Sequence, residues 1–272
     1  MSARTQFTFD STPNIVFNDN TTDPLNWYNL TNRLFDTEVR NVEDTKRDQG
    51  IEDYDSVLSK GLAKLKVAIF AESMGKLNEL VMNLKKAFNP LLTQENVASD
   101  EGYLPIQWTE VINTTSYAVE VWVKAIEIPR VQLNENGTGA TTEISLKAKD
   151  PVKVSQTTKG ITVLNGASAT GTNSGDMPAS VVITLTGPTA ANPKVTYTQT
   201  GEYMQISDTL GPADVYVIDH KNATIKKNGV NAYDKKATGS VFFDLNSGAI
   251  TLAGLNLSTG NAAVAYKDTW TL

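Results

Sequence analysis

The chain has 272 residues, 40% of them hydrophobic and 20% charged, which suffices for two ordinary cores and excludes a disordered or fibrous protein. It holds no Cys and a single His, so disulfide frameworks, thiolate chemistry and metal sites built on two imidazoles are excluded, and few routes to Ser-His catalysis remain. The net charge of -6 lies wholly in the first half: up to Lys153 there are 22 acidic and 16 basic residues, and beyond it 8 of each.

No apolar run follows Arg4 at the N-terminus, and no stretch has the length and apolarity to span a bilayer, so the expectation is a protein made and assembled in a cytoplasm. Much of the acid excess sits in Asp36, Glu38, Glu43, Asp44, Asp48, Glu52, Asp53 and Asp55, opposed only by Arg40, Lys46 and Arg47. Two readings stay open for it. One is a solvated loop, and the other is a negative channel or loop surface that keeps a passing polyanion from sticking.

From Leu65 to Ala71 the apolar residues Leu65, Val67 and Ile69 alternate with Lys66 and Ala68, the period of two that marks a half-buried strand. Behind it the period changes. Met74, Leu77, Leu80, Val81, Leu84 and Phe88 recur at three and four, which predicts a helix over 73–88 with Ser73 as N-cap, Lys85 and Lys86 in the last turn, and Asn89-Pro90 as a stop. The strand bearing Ile106 and Trp108 follows. The next, over 117–128, sets Tyr117, Val119, Val121 and Val123 on one face and Ala118, Trp122, Ile126 and Ile128 largely on the other. Asn134 to Gly139 reads as a hairpin turn before a strand over 142–149.

Residues 165–175 are Gly, Ser, Thr, Ala and Asn, which predicts a flexible linker or loop. Beyond it, short strand-like runs at Val181, Lys194, Tyr203, Val215, Ala223, Ser240, Ala249 and Ala262 are separated by turns such as Asn228-Gly229 and Thr259-Gly260, the pattern of an all-β sandwich. The fold class expected is therefore mainly β. It comprises an α+β N-terminal domain over 1–155, a β-barrel or sandwich with one helix; a linker over 156–177; and an all-β C-terminal sandwich over 178–272.

Catalytic and ligand motifs are few. Gly75-Lys76-Leu77 is not a phosphate-binding loop. Asp219-His220 stands at a strand end, where neighbouring side chains point to opposite faces, so it reads as a turn rather than an acid/base pair. Glu52-Asp53 lacks the rigid cleft a glycosidase pair needs, and Asn134 to Gly139 lacks the spaced acids of a calcium loop. Tyr197, Tyr203, Tyr216, Tyr233, Tyr266 and Trp270 have the chemistry to stack on sugar rings, although sandwich cores and subunit contacts use the same residues.

The segment from Leu62 to Arg130, with its strand, helix, Tyr103-Leu-Pro-Ile-Gln-Trp-Thr-Glu and Ile128-Pro129-Arg130, resembles the N-terminal domain of siphophage distal tail proteins. The segment from Gly175 onward resembles the galectin-like C-terminal domain of that family, through Gly175-Asp-Met-Pro, Thr200-Gly-Glu-Tyr, Ile225-Lys-Lys-Asn-Gly, Val241-Phe-Phe-Asp and Val264-Ala-Tyr-Lys-Asp-Thr-Trp270. The resemblance implies a structural virion protein at the tail tip, without catalytic residues, cofactor or metal. It implies a homo-hexameric ring whose N-terminal barrels line a DNA channel and whose C-terminal domains project outward. Its partners would be the tail tube protein, the hub or fibre protein, the tape measure protein and the receptor-binding protein. In such a ring Leu65, Val67 and Ile69 would mark an inter-subunit edge strand. A tail tube subunit and a carbohydrate-binding adhesin component are the alternatives, with a cell-wall hydrolase weakest.

Overall fold

The computed structural model describes residues 7–9, 15–17, 27–29, 62–89, 103–112, 114–135, 139–150 and 152–271. The chain divides into two compact units, Met1–Lys153 and Val154–Thr271. The fold is mainly β, as its alternating patterns predict, with one α-helix among the described residues.

In the first unit the strands are β1 (Phe7–Phe9), β2 (Ile15–Phe17), β3 (Trp27–Asn29), β4 (Leu62–Phe70), β5 (Leu104–Ile112), β6 (Thr115–Ala125), β7 (Arg130–Leu133) and β8 (Gly139–Ala148), with α1 (Met74–Ala87) between β4 and β5. The sheet runs β2-β1-β5-β6-β8-β4-β3. Its two end strands approach each other, which curls the sheet toward a barrel. Strand β8 is the spine. It pairs along its length with β4 and on its other side first with β7 and then with β6.

Helix α1 starts where a cap is available: the Ser73 hydroxyl accepts the Lys76 N–H at 3.2 Å. Its inner stripe is Leu77, Leu80, Leu84 and Ala87, continued by Phe88, packed with Leu65, Val67, Ile69, Ile106, Val121, Val123, Ile144 and Leu146. Burial of each large side chain contributes about 1.5–3 kcal/mol. Met74, expected on this face, is instead 46% exposed, because it begins the first turn at the margin of the sheet. Ile126 and Ile128 also lie outside the core, in the turn after β6 has ended.

The second unit follows β9 (Val152–Ser155). Its strands are β10 (Lys159–Leu164), β11 (Ser168–Asn173), β12 (Ala179–Thr186), β13 (Lys194–Tyr197), β14 (Tyr203–Gln205), β15 (Val215–Asp219), β16 (Thr224–Lys227), β17 (Val230–Asn231), β18 (Asp244–Leu245), β19 (Gly248–Leu255), β20 (Asn261–Tyr266) and β21 (Thr269–Thr271). One sheet runs β10-β20-β12-β15-β16-β17, with β18 on β12; the other runs β11-β19-β13-β14. Ile161, Ile183, Tyr216, Ile218 and Val264 from the first meet Val195, Tyr197, Ile250 and Leu252 from the second in a continuous core, which is the packing of a β-sandwich. Asn228 and Gly229 both take positive φ, 50° and 82°, the geometry of a two-residue hairpin turn, here between Lys227 and Val230.

Residues 156–177 are not a linker. They carry β10 and β11, paired to β20 and β19. Gly171 serves packing: a Cβ there would stand 2.5 Å from Ile161 Cδ1, so the glycine lets the Ile161 side chain of β10 lie against β11. In contrast to the expected extended run over Ser240 to Leu245, only Asp244–Leu245 is a strand. The residues before it cross the end of the sandwich irregularly.

Candidate functional site

Val67 and Ile69 do not lie on an open edge, being flanked by β3 and β8. Strand β4 is paired along its length by β8 and, on its other side, by β3 over Val67–Ile69 only; the side chains of Leu65, Val67 and Ile69 are 0–1% exposed. Sequence shows that a strand exists but not what pairs with it, and here both partners are distant in the chain. The acidic residues Asp36, Glu38, Glu43, Asp44, Asp48, Glu52, Asp53 and Asp55 lie outside the described residues.

A cleft of about 400 Å³ lies in the first unit, where Arg130 on β7 faces Glu143 on β8, with Glu127, Gln132, Thr141 and Thr142 around it and Val67 at its floor. It presents charged and hydroxyl groups without a nucleophile-base pair, so it offers a polar contact surface rather than a reaction centre. Among the described residues no cluster of His, Asp and Glu could hold a metal ion, and no helix is long and apolar enough to cross a membrane.

In the second unit several charged side chains are built into hydrogen-bonded networks. The ammonium of Lys227 bridges Asp208 at 3.0 Å and Asp214 at 3.1 Å. The Tyr216 hydroxyl donates to Asp208 at 2.7 Å, and the Gly211 N–H and the Asn228 side-chain amide donate to Asp214 at 2.9 and 3.0 Å. The Tyr216 hydroxyl and then Lys227 hold the Asp208 carboxyl down at about 2. The Gly211 N–H, Asn228 and Lys227 lower that of Asp214. Burial, then Asp208, raises the Tyr216 phenol. Charged acceptors paired in this way fasten the loop before β15 to the β15-β16 hairpin. Lys159 and the buried Asp268, 2.7 Å apart, tie β10 to the segment after β20 in the same manner.

The aromatic residues sort by burial. Tyr197, Tyr216, Tyr266 and Trp270 are core, 0–4% exposed, and cannot stack on a sugar ring. Tyr203 is half-buried beneath Lys194, whose ammonium lies 3.9 Å from the ring centroid. Tyr233 is exposed and stacks on Phe242. Asp219 and His220 part as expected. The carboxylate accepts the Asn222 backbone N–H and side-chain amide at 3.0 and 2.7 Å. The imidazole turns inward, 6% exposed, against Phe243, a burial that its position in a turn did not signal.

Two comparisons place this geometry among known proteins. Residues 174–270 match the family model described as siphovirus-type tail component, C-terminal domain. The whole fold is similar to the crystal structure of the SPP1 Dit protein, described there as a paradigm of the hub adsorption apparatus in Gram-positive infecting phages. The TM-score is 0.66 at 10% identity, covering 98% of this chain and 99% of that one. No curated protein matches the sequence.

Proposed function

We propose that this chain, whose second unit belongs to the siphovirus-type tail components and whose resemblance to siphophage distal tail proteins both comparisons bear out, forms a hexameric ring at the tail tip. The ring joins the tail tube to the hub and carries the receptor-binding apparatus. DNA passes through its centre. The observation that carries this reading is the tail-component match of the second unit within a fold shared end to end with SPP1 Dit. A tail tube subunit would have no use for a complete second sandwich of its own, which favours the tip over the tube.

The ring's lumen is formed by the first unit, whose excess of acid over base suits a DNA conduit, because negative walls do not retain phosphate. Asp and Glu rather than Lys dominate that surface. The tube protein, the tape measure protein and the receptor-binding protein are the partners. The C-terminal sandwiches project outward and act by contact, without cofactor or catalysis. An adhesin reading is disfavoured by the burial of four of the six aromatic candidates.

Light scattering by the purified chain over a range of concentration and salt tests the assembly. A mass six times that of the chain supports the closed ring. A monomer at every concentration overturns self-assembly of the ring.

A further inference from the structure

Residues 235–245 form a strap that joins the two sheets of the second unit. At one end the Lys235 carbonyl accepts the Ser207 N–H at 2.7 Å. The Ala237 N–H then donates to Gln205 and the Val241 N–H to Tyr203, each at 3.0 Å, along the outer edge of β14. At the other end Asp244 and Leu245 pair with Ser180 and Ala179 of β12 in the opposite sheet. Between these anchors Phe243 is buried, stacked on Tyr197 with centroids 5.8 Å apart.

His220 sits under the middle of the strap. Its Nδ1 is 2.9 Å from the Phe243 N–H and 2.7 Å from the Phe243 carbonyl oxygen. The ring meets Phe243 and Phe242 edge-on at 4.6 and 5.5 Å. Its Nε2 is buried with no hydrogen-bond partner. A neutral ring satisfies one polar atom of Phe243, accepting the N–H or donating to the carbonyl according to its tautomer. A protonated ring can only donate. The protonated Nδ1–H keeps the Phe243 carbonyl, which favours the charged ring, but the Phe243 N–H then has no acceptor in the imidazole and the charged Nε2–H is buried without a partner.

We infer that His220 is a proton-operated latch: the neutral ring holds residues 235–245 across the end of the sandwich, and the protonated ring releases them, baring Phe242 and Phe243. The charges around the ring are the carboxylates of Asp219 on its own strand end and Asp244 on the strap, which favour the charged form, with Lys221 adjoining in sequence and Lys236 over the far side of Phe242. Burial outweighs the Phe243 hydrogen bond and these carboxylates and lowers the imidazole pKa below 6.5. The closed strap is therefore fully stable above that pH and loses stability as pH falls below it, down to the lowered folded value.

The chain has one histidine, so a single imidazole resonance reports this site. Its titration and the hydrogen-exchange protection factors of the Ala237, Val241 and Phe243 amides, measured on the full chain from pH 7.5 to 5, test the latch. The expected result is a loss of strap protection by up to about tenfold per pH unit that begins below 6.5 and levels off where the imidazole of the closed strap titrates, with the Ile183 amide in the sheet less affected. His220→Asn should flatten the dependence. An imidazole that titrates while strap protection holds, or an equal acid loss in His220→Asn, would overturn it; the wild-type titration decides the matter should that variant not fold.

Discussion

Tyr216 donates its hydroxyl hydrogen to Asp208 across 2.7 Å while Lys227 holds the same carboxylate oxygen from 3.0 Å. One carboxylate thus ties the loop before β15 to strands β15 and β16. The Asp208 carboxyl is lowered from 3.8 to about 2. Its contribution to stability is complete above pH 3.8 and is lost as pH falls toward 2. Asp208→Asn should lower stability at neutral pH by about 1 kcal/mol or less, the network being partly solvated. Its unfolding curves between pH 5 and 2 should be less acid-sensitive than those of the parent. Parallel pH dependences in thermal melts would contradict this.

Gly175 lies so close to the chain end of the second unit that a Cβ there would stand 1.8 Å from the Thr269 carbonyl oxygen. Because the obstacle is backbone, Gly175→Ala should destabilise this unit by about 1–3 kcal/mol or more. Gly160→Ala, where nothing lies within 4 Å, serves as the control. Denaturant unfolding of both variants checks the contrast, and equal midpoints would show that the approach is relieved at little cost.

Helix α1 depends on its first turn, since Ser73 supplies the cap. Ser73→Ala should cost about 1 kcal/mol, whereas Leu84→Ala, at a position 0% exposed between helix and sheet, should cost about 2–5 kcal/mol. Thermal melts of the two variants test the order. A larger loss from the cap than from the core residue would mean that the helix is held by its ends rather than by its buried face.

The helix was legible because its apolar residues recur at three and four, a signal that needs no partner. The alternation in Val181 to Thr186 was legible for the same reason, and it emerges as the strict buried and half-buried pattern of β12. Strands β10 and β11 were only half legible. Among the small residues over 165–175 that suggest a loop, Gly171 and Gly175 instead allow close approaches, to Ile161 and to the Thr269 backbone. The pairing of β4 by both β3 and β8 was not legible, since a strand's own pattern does not say whether its edges are free. The contacts of His220 with Phe243 and of Lys227 with Asp208 join residues about twenty apart, each with at least one partner outside any strand, where no period exists to be read.

The place proposed for this protein is the distal end of a phage tail. Its most direct test is electron microscopy of virions that contain the chain, labelled with an antibody raised against residues 178–272. A ring at the distal end should confine the label to the tail tip, at the junction of tube and hub. Label distributed along the tube would contradict it and identify the chain as a tube subunit.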